Sequence, residues 1–151
     1  MRVIIVIALT LMGACACAQQ NEDGMKGWEV LYEADGLPTD AGWGGGGGEN
    51  THAELTDEGL RIVDDGTAHG ELHFFTRHWP ARPDRGGEVV VTMRAVSCSG
   101  RSANSVLIAD GVHEECLTFY PDRVEMNNSG LTYEMDTTDG FHTYLARIAG
   151  I

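Results

Sequence analysis

Three kinds of residue in this chain could do chemistry: acids spaced for joint work, histidines, and aromatic rings with amides nearby. The acids come in three groups. Glu54, Asp57 and Glu58 do not have the Glu-x-Asp-x-x-Glu spacing that sets paired acids on one strand face. Glu114 and Glu115 are adjacent, so in a strand they point to opposite sides. Glu134 and Asp136 alternate onto one side and read as a solvated strand end. No serine sits in a G-x-S-x-G elbow, so nucleophilic ester chemistry is not expected. The six histidines are His52, His69, His73, His78, His113 and His142. His69 and His73 would stand about 13 Å apart in a strand, too far to share one metal. His113-Glu114-Glu115-Cys116 matches no zinc spacing and reads as a polar hairpin.

Two oxygen-rich turns offer calcium ligands: Asp64 and Asp65 before Gly66, and Asp110 before Gly111. Asp-Gly is also the commonest turn dipeptide, so turn formation alone accounts for both. Sugar recognition needs an aromatic platform rimmed by polar groups. Candidate platforms are Trp43, Trp79, Tyr120 and Tyr133, with Asn127, Asn128 and Asp110 as hydrogen-bonding partners. Trp43, beside a glycine run, fits packing and ligand contact equally well. Trp28, Phe74 and Phe141 read as core residues.

These side chains must be placed by strands, because the chain has no convincing amphipathic ten-residue helix pattern. A first strand is expected over Trp28 to Glu33, followed by turn chemistry at Asp35-Gly36-Leu37-Pro38. Gly44 to Gly48 reads as a mobile loop and lacks the Lys-Ser/Thr ending of a phosphate-binding loop. Thr51 to Leu55 and Leu60 to Val63 read as a hairpin around Thr56-Asp57-Glu58-Gly59. Glu71 to Trp79 is the next strand, broken off by Pro80, Pro83 and Gly86-Gly87. Glu88 to Cys98 is the clearest strand, apolar on both sides and so expected to be central. Ala103 to Ala109, Glu115 to Tyr120, Arg123 to Met126, Leu131 to Met135 and Phe141 to Ile148 complete the series. Short strands separated by Gly, Asp, Asn and Pro are the pattern of an antiparallel sandwich or barrel.

The N-terminus reads as an export leader: Met1-Arg2, an apolar run from Val3 to Met12, then small residues to Ala18. That run is shorter than the roughly 20 residues a membrane helix needs. Ala16-Cys17-Ala18 fits signal cleavage. Met12-Gly13-Ala14-Cys15 resembles a bacterial lipoprotein box with Cys15 as the lipidation site, Met12 standing where Leu is usual. The expected organisation is a leader over 1–18, a polar lead-in over 19–27 and one domain over 28–151. Cleavage leaves Cys98 and Cys116, which read either as one disulfide or as two buried thiols. The formal net charge is −13, from 10 basic against 23 acidic side chains. Such a surface repels phosphate backbones and anionic lipids, so nucleic acid is not an expected partner. No other segment could span a membrane as a helix.

Three stretches carry a resemblance to a known family: Leu60-Arg61-Ile62-Val63-Asp64-Asp65, Glu88 to Val96, and above all Asp139-Gly140-Phe141-His142-Thr143-Tyr144-Leu145-Ala146-Arg147-Ile148. Over residues 28 to 151 the chain resembles the concanavalin A-like lectin/glucanase superfamily, with laminin-G-like jelly rolls. The last stretch is similar to a family phrase of the type F-H-T-Y-R-I, with Leu145 where Arg is usual. The resemblance implies a jelly-roll β-sandwich, binding to carbohydrate or cell-surface glycan, and calcium near the rim. Glucan-cleaving members place acids as Glu-x-Asp-x-x-Glu on one strand. None of the acid groups above has that spacing, so a non-catalytic domain is expected. The alternatives are part of a glycoside hydrolase whose catalytic acids lie outside this chain, or a structural adhesion module. The family phrase is usually followed by a further strand, so the expectation is either a piece of a longer reading frame or a last strand already paired within the sheet.

Overall fold

The computed structural model describes residues 28–64, 72–79, 83–97 and 104–149, with the backbone of residues 2–6. The chain is all-β and antiparallel sheets dominate, as in a β-sandwich; no helix occurs among the described residues. The chain separates into two compact units, residues 2–78 and residues 79–151.

In the first unit the apolar run near the N-terminus begins as a strand. β1 (Arg2–Val6) pairs in parallel with β2 (Trp28–Tyr32). Val3, Ile4, Ile5 and Val6 are β-branched residues that suit extended backbone. The rest of the expected leader, including Cys15, and the lead-in over 19–27 lie outside the described residues. The hairpin is as expected: β4 (Thr51–Thr56) pairs with β5 (Gly59–Asp64) around a two-residue turn. Thr56 Oγ1 accepts from the Glu58 N–H at 3.2 Å and donates to the Gly59 carbonyl at 3.0 Å.

Two expectations are corrected in this unit. The glycine run is not a loop but a strand, β3 (Gly44–Gly47), paired antiparallel with β6 (His73–Thr76). Its lack of side chains is what permits the pairing. A Cβ at Gly45 would run into the Phe74 carbonyl, and one at Gly47 into Thr51 Oγ1 and His73 Nδ1. The expected strand over Glu71 to Trp79 is therefore only four residues long, and Phe74 stands half exposed rather than in the core.

The second unit holds two packed layers. One is the antiparallel pair β7 (Gly86–Met93) and β12 (His142–Ala149), joined over eight residue pairs. The other is a four-stranded antiparallel sheet. Its order is β11 (Leu131–Glu134), β10 (Arg123–Met126), β9 (Glu114–Tyr120), β8 (Ser105–Ala109). Val89, Val91, Ala146 and Ile148 of the first layer and Ile108, Leu117, Phe119 and Val124 of the second are buried. The Phe119 and Tyr144 rings meet edge to face with centroids 4.7 Å apart. Alternation accounts for this division, since residues two apart share a face. β7 is buried on both faces, as its apolar run requires, but ends at Met93 rather than Cys98. Ala95 N–H instead donates to the Thr137 carbonyl, which takes the chain out of the ladder. Phe141, expected in the core, is exposed, and the Arg94 guanidinium lies over its ring at 5.2 Å.

Candidate functional site

β9 and β10 place the sequence-selected residues on the outer face of the four-stranded sheet. Tyr120 opposes Arg123, and Thr118 opposes Glu125. With Phe119 and Val124 turned to the core, their neighbours Tyr120, Arg123 and Glu125 lie on the opposite face, as does Thr118, which is itself fully buried there. Tyr120, Glu125, Asn127, Gly130 and Thr132 line an open cleft of about 390 Å³, floored in part by Met126 and Leu131. Arg123 organises one wall. Its guanidinium lies 4.0 Å from the Tyr120 ring centroid, its Nε donates to Glu125 Oε1 at 2.7 Å, and Nη1 donates to Asp122 Oδ1 at 2.9 Å. The bonds to Glu125 and Asp122 raise the Arg123 pKa further above its usual value.

The turn over Asn127–Gly130 is fixed from beneath. Glu115 is buried, and its Oε1 accepts from the Asn128 N–H at 2.8 Å and the Cys116 N–H at 3.0 Å. Its Oε2 accepts from the Ser129 N–H at 3.1 Å. Burial pushes the Glu115 pKa up, but these bonds outweigh it and hold the carboxyl below its usual range. Gly130 closes the turn at φ +72°, a conformation that disfavours a side chain. Asn127 Nδ2 donates to Thr118 Oγ1 at 3.0 Å, and Asn128 Nδ2 to the Glu114 carbonyl at 2.8 Å. The amide carbonyls of both asparagines thus sit on a rigid turn. Nothing in the sequence marked Glu115 as its anchor, because the partners are backbone N–H groups thirteen and fourteen residues away.

Trp79 belongs to the same unit but to a different place. Its indole packs against Gly87 and its Nε1 donates to the Ala109 carbonyl at 3.1 Å. Tyr133 is exposed on β11, on the face opposite Tyr120. Trp43 lies in the other unit. Its Nε1 donates to the Leu31 carbonyl at 3.2 Å, and its ring meets Tyr32 at 6.3 Å. Leu31 and Tyr32 line a shallow cavity of about 350 Å³ with Glu33, Asp35 and Ala41. Trp43 is thus tied into its own unit by packing and by its one polar atom.

The calcium candidates fare differently. Asp110 Oδ1 accepts from the Val112 N–H at 2.9 Å and the His113 N–H at 2.7 Å, and His113 Nδ1 lies 2.9 Å from Oδ2. Both oxygens face nitrogen donors of the Asp110–His113 turn, an arrangement that staples a turn rather than opening a cation site. The His113 backbone and ring bonds hold the Asp110 pKa down to about 2. Asp64 ends β5, and Asp65 lies outside the described residues. Among the described residues, no three His, Cys, Asp or Glu side chains converge as a metal site. Cys116 carries a free thiol, and Cys98, its partner in the disulfide alternative, lies outside the described residues. No helix among the described residues is long and apolar enough to cross a membrane. No protein-family model matches the chain, and no curated protein or solved structure matches it.

Proposed function

We propose that this chain is an exported, secreted or surface-anchored, non-catalytic module that binds carbohydrate on the outer face of its β8–β11 sheet. One observation carries the reading. Tyr120 and Asn127, which the sequence offers only as separate candidates, line one open cleft with Glu125 and Thr132. An aromatic edge, an amide, a carboxylate and a hydroxyl are the groups that bind sugar rings, through apolar C–H contact and hydroxyl pairing. The Glu115-anchored turn supports the reading further, because a preordered rim avoids an ordering cost on binding. The leader-like N-terminus supports export. The resemblance to concanavalin A-like jelly rolls agrees with both. Trp79 and Trp43 take packing roles here, and Asn128 serves the rim.

The test is affinity electrophoresis of the full chain through gels containing soluble polysaccharides of varied linkage. Retardation by at least one glycan is expected, reduced about tenfold or more in affinity by Tyr120→Ala, in line with the loss of one aromatic platform. Retardation unchanged by both Tyr120→Ala and Asn127→Ala would remove the cleft from the account.

A further inference from the structure

We propose that β12 is a pairing edge through which two copies of this chain associate, antiparallel, about a two-fold axis. Among the described residues β12 ends its sheet, with β7 as its one partner there. Exposed edges are usually protected by lysine, proline, a bulge or shortness. β12 has none of these. It runs for eight residues without Pro or Lys, and its ladder with β7 is unbroken from His142 to Ala149. Its Arg147 is already engaged by Glu88 across that ladder.

The opposite layer shows what such an edge lacks. Leu131 and Tyr133 share the face of Met126 and Val124, and through them of Leu117 and Phe119, so they belong to the core side. Yet they are 62% and 69% exposed. The reason is lateral. β12 lies over β9, through the Phe119–Tyr144 contact. Trp79, packed on Gly87 of β7, reaches the Ala109 carbonyl at the end of β8. β7 therefore lies toward β8, and β10 and β11 extend past the free edge of β12. A strand added to that edge, about 4.8 Å away, would lie over the uncovered side of β11.

The occupant must present apolar side chains inward, toward Leu131 and Tyr133 of β11. In a chain of 23 acidic against 10 basic side chains, β12 itself meets that condition and adds none of the chain's dominant charge to a contact between copies. Tyr144, Ala146 and Ile148 face the core and the strand holds no Asp or Glu. Antiparallel pairing of two β12 strands centred on Leu145 keeps those three residues inward in both copies. It sets the two Leu145 side chains, each 57% exposed, directly opposite one another on the outer face. Arg147 then opposes Thr143, so no like charges meet. One symmetric contact completes both edges at once, the isologous arrangement commonest in dimers.

Sedimentation equilibrium of the full chain tests this. A concentration-dependent dimer is expected, tightened by added salt because each copy carries a formal charge of −13. Leu145→Glu, which opposes two carboxylates, is expected to weaken it tenfold or more, and so is Tyr133→Glu. Leu107→Glu, on β8 at the far edge, is expected to leave it unchanged. Should Leu145→Glu lose its β-sheet circular dichroism, Tyr133→Glu decides, since that side chain already faces solvent. A single-copy mass at all concentrations overturns the proposal, and so does a dimer untouched by Tyr133→Glu or equally weakened by Leu107→Glu.

Discussion

Single carboxylates carry much of the local order. Asp110 and Glu115 are each held below the usual carboxylate range by N–H donors, so folding favours their ionised forms. The sign follows from linkage: a depressed folded pKa adds stability above the unfolded pKa and loses it as pH falls through the folded value. For Asp110 that window runs from its ordinary 3.8 down to about 2. Urea midpoints measured from pH 6 downward should therefore drop for the wild type across that window, and the Asp110→Asn variant should show a flatter profile there. A parallel profile would mean the Asp110 bonds are not formed in solution. Glu115→Gln should cost about 1–3 kcal/mol at neutral pH, the range for leaving buried donors without their charged acceptor. Tyr144 makes the opposite case. Burial raises its pKa, Asp139 adds to that, and its hydroxyl is buried with no hydrogen-bond partner among the described residues. Tyr144→Phe keeps the ring against Phe119 and removes an unsatisfied group, so thermal unfolding should show a gain of up to about 1–2 kcal/mol.

At the scale of elements, the strands legible in the sequence were those rich in β-branched and aromatic side chains between clear turn residues. Val89 to Val91 is a β-branched run, apolar on both sides, and together with the Phe141 to Ile148 stretch it became the paired strands that were expected. The hairpin around Asp57-Glu58 was legible from its turn. The glycine strand was not, since β3 has no side chains to show a period and is defined by its partner β6. The core positions of Phe74 and Phe141 were misread for a related reason, as aromatic type says less about burial than which face a partner strand covers. The candidate site was half legible. Residue type alone selected Tyr120 and Asn127, but their placement on one face needs the β9–β10 register, and the Glu115 anchor is a long-range contact with no sequence period. The inter-layer contact should dominate stability here. Phe119 is 0% exposed, and Phe119→Ala is expected to cost about 3–5 kcal/mol in chemical denaturation, against under 1 kcal/mol for Leu107→Ala on the exposed face.

For the molecule as a whole, charge and cleft act together. A net charge of −13 sets an electrostatic penalty on approach to phosphate backbones and anionic lipids that a neutral glycan does not meet. The proposed binding to neutral polysaccharide should therefore be nearly independent of salt, unlike phosphate recognition, which weakens steeply as salt rises. The most direct measurement is isothermal titration of the full chain with whichever soluble polysaccharide retards it in affinity gels, alongside Tyr120→Ala. The account predicts saturable, salt-insensitive binding that falls tenfold or more in the variant while its unfolding midpoint stays close to wild type. Equal affinity of wild type and a folded Tyr120→Ala variant would contradict it.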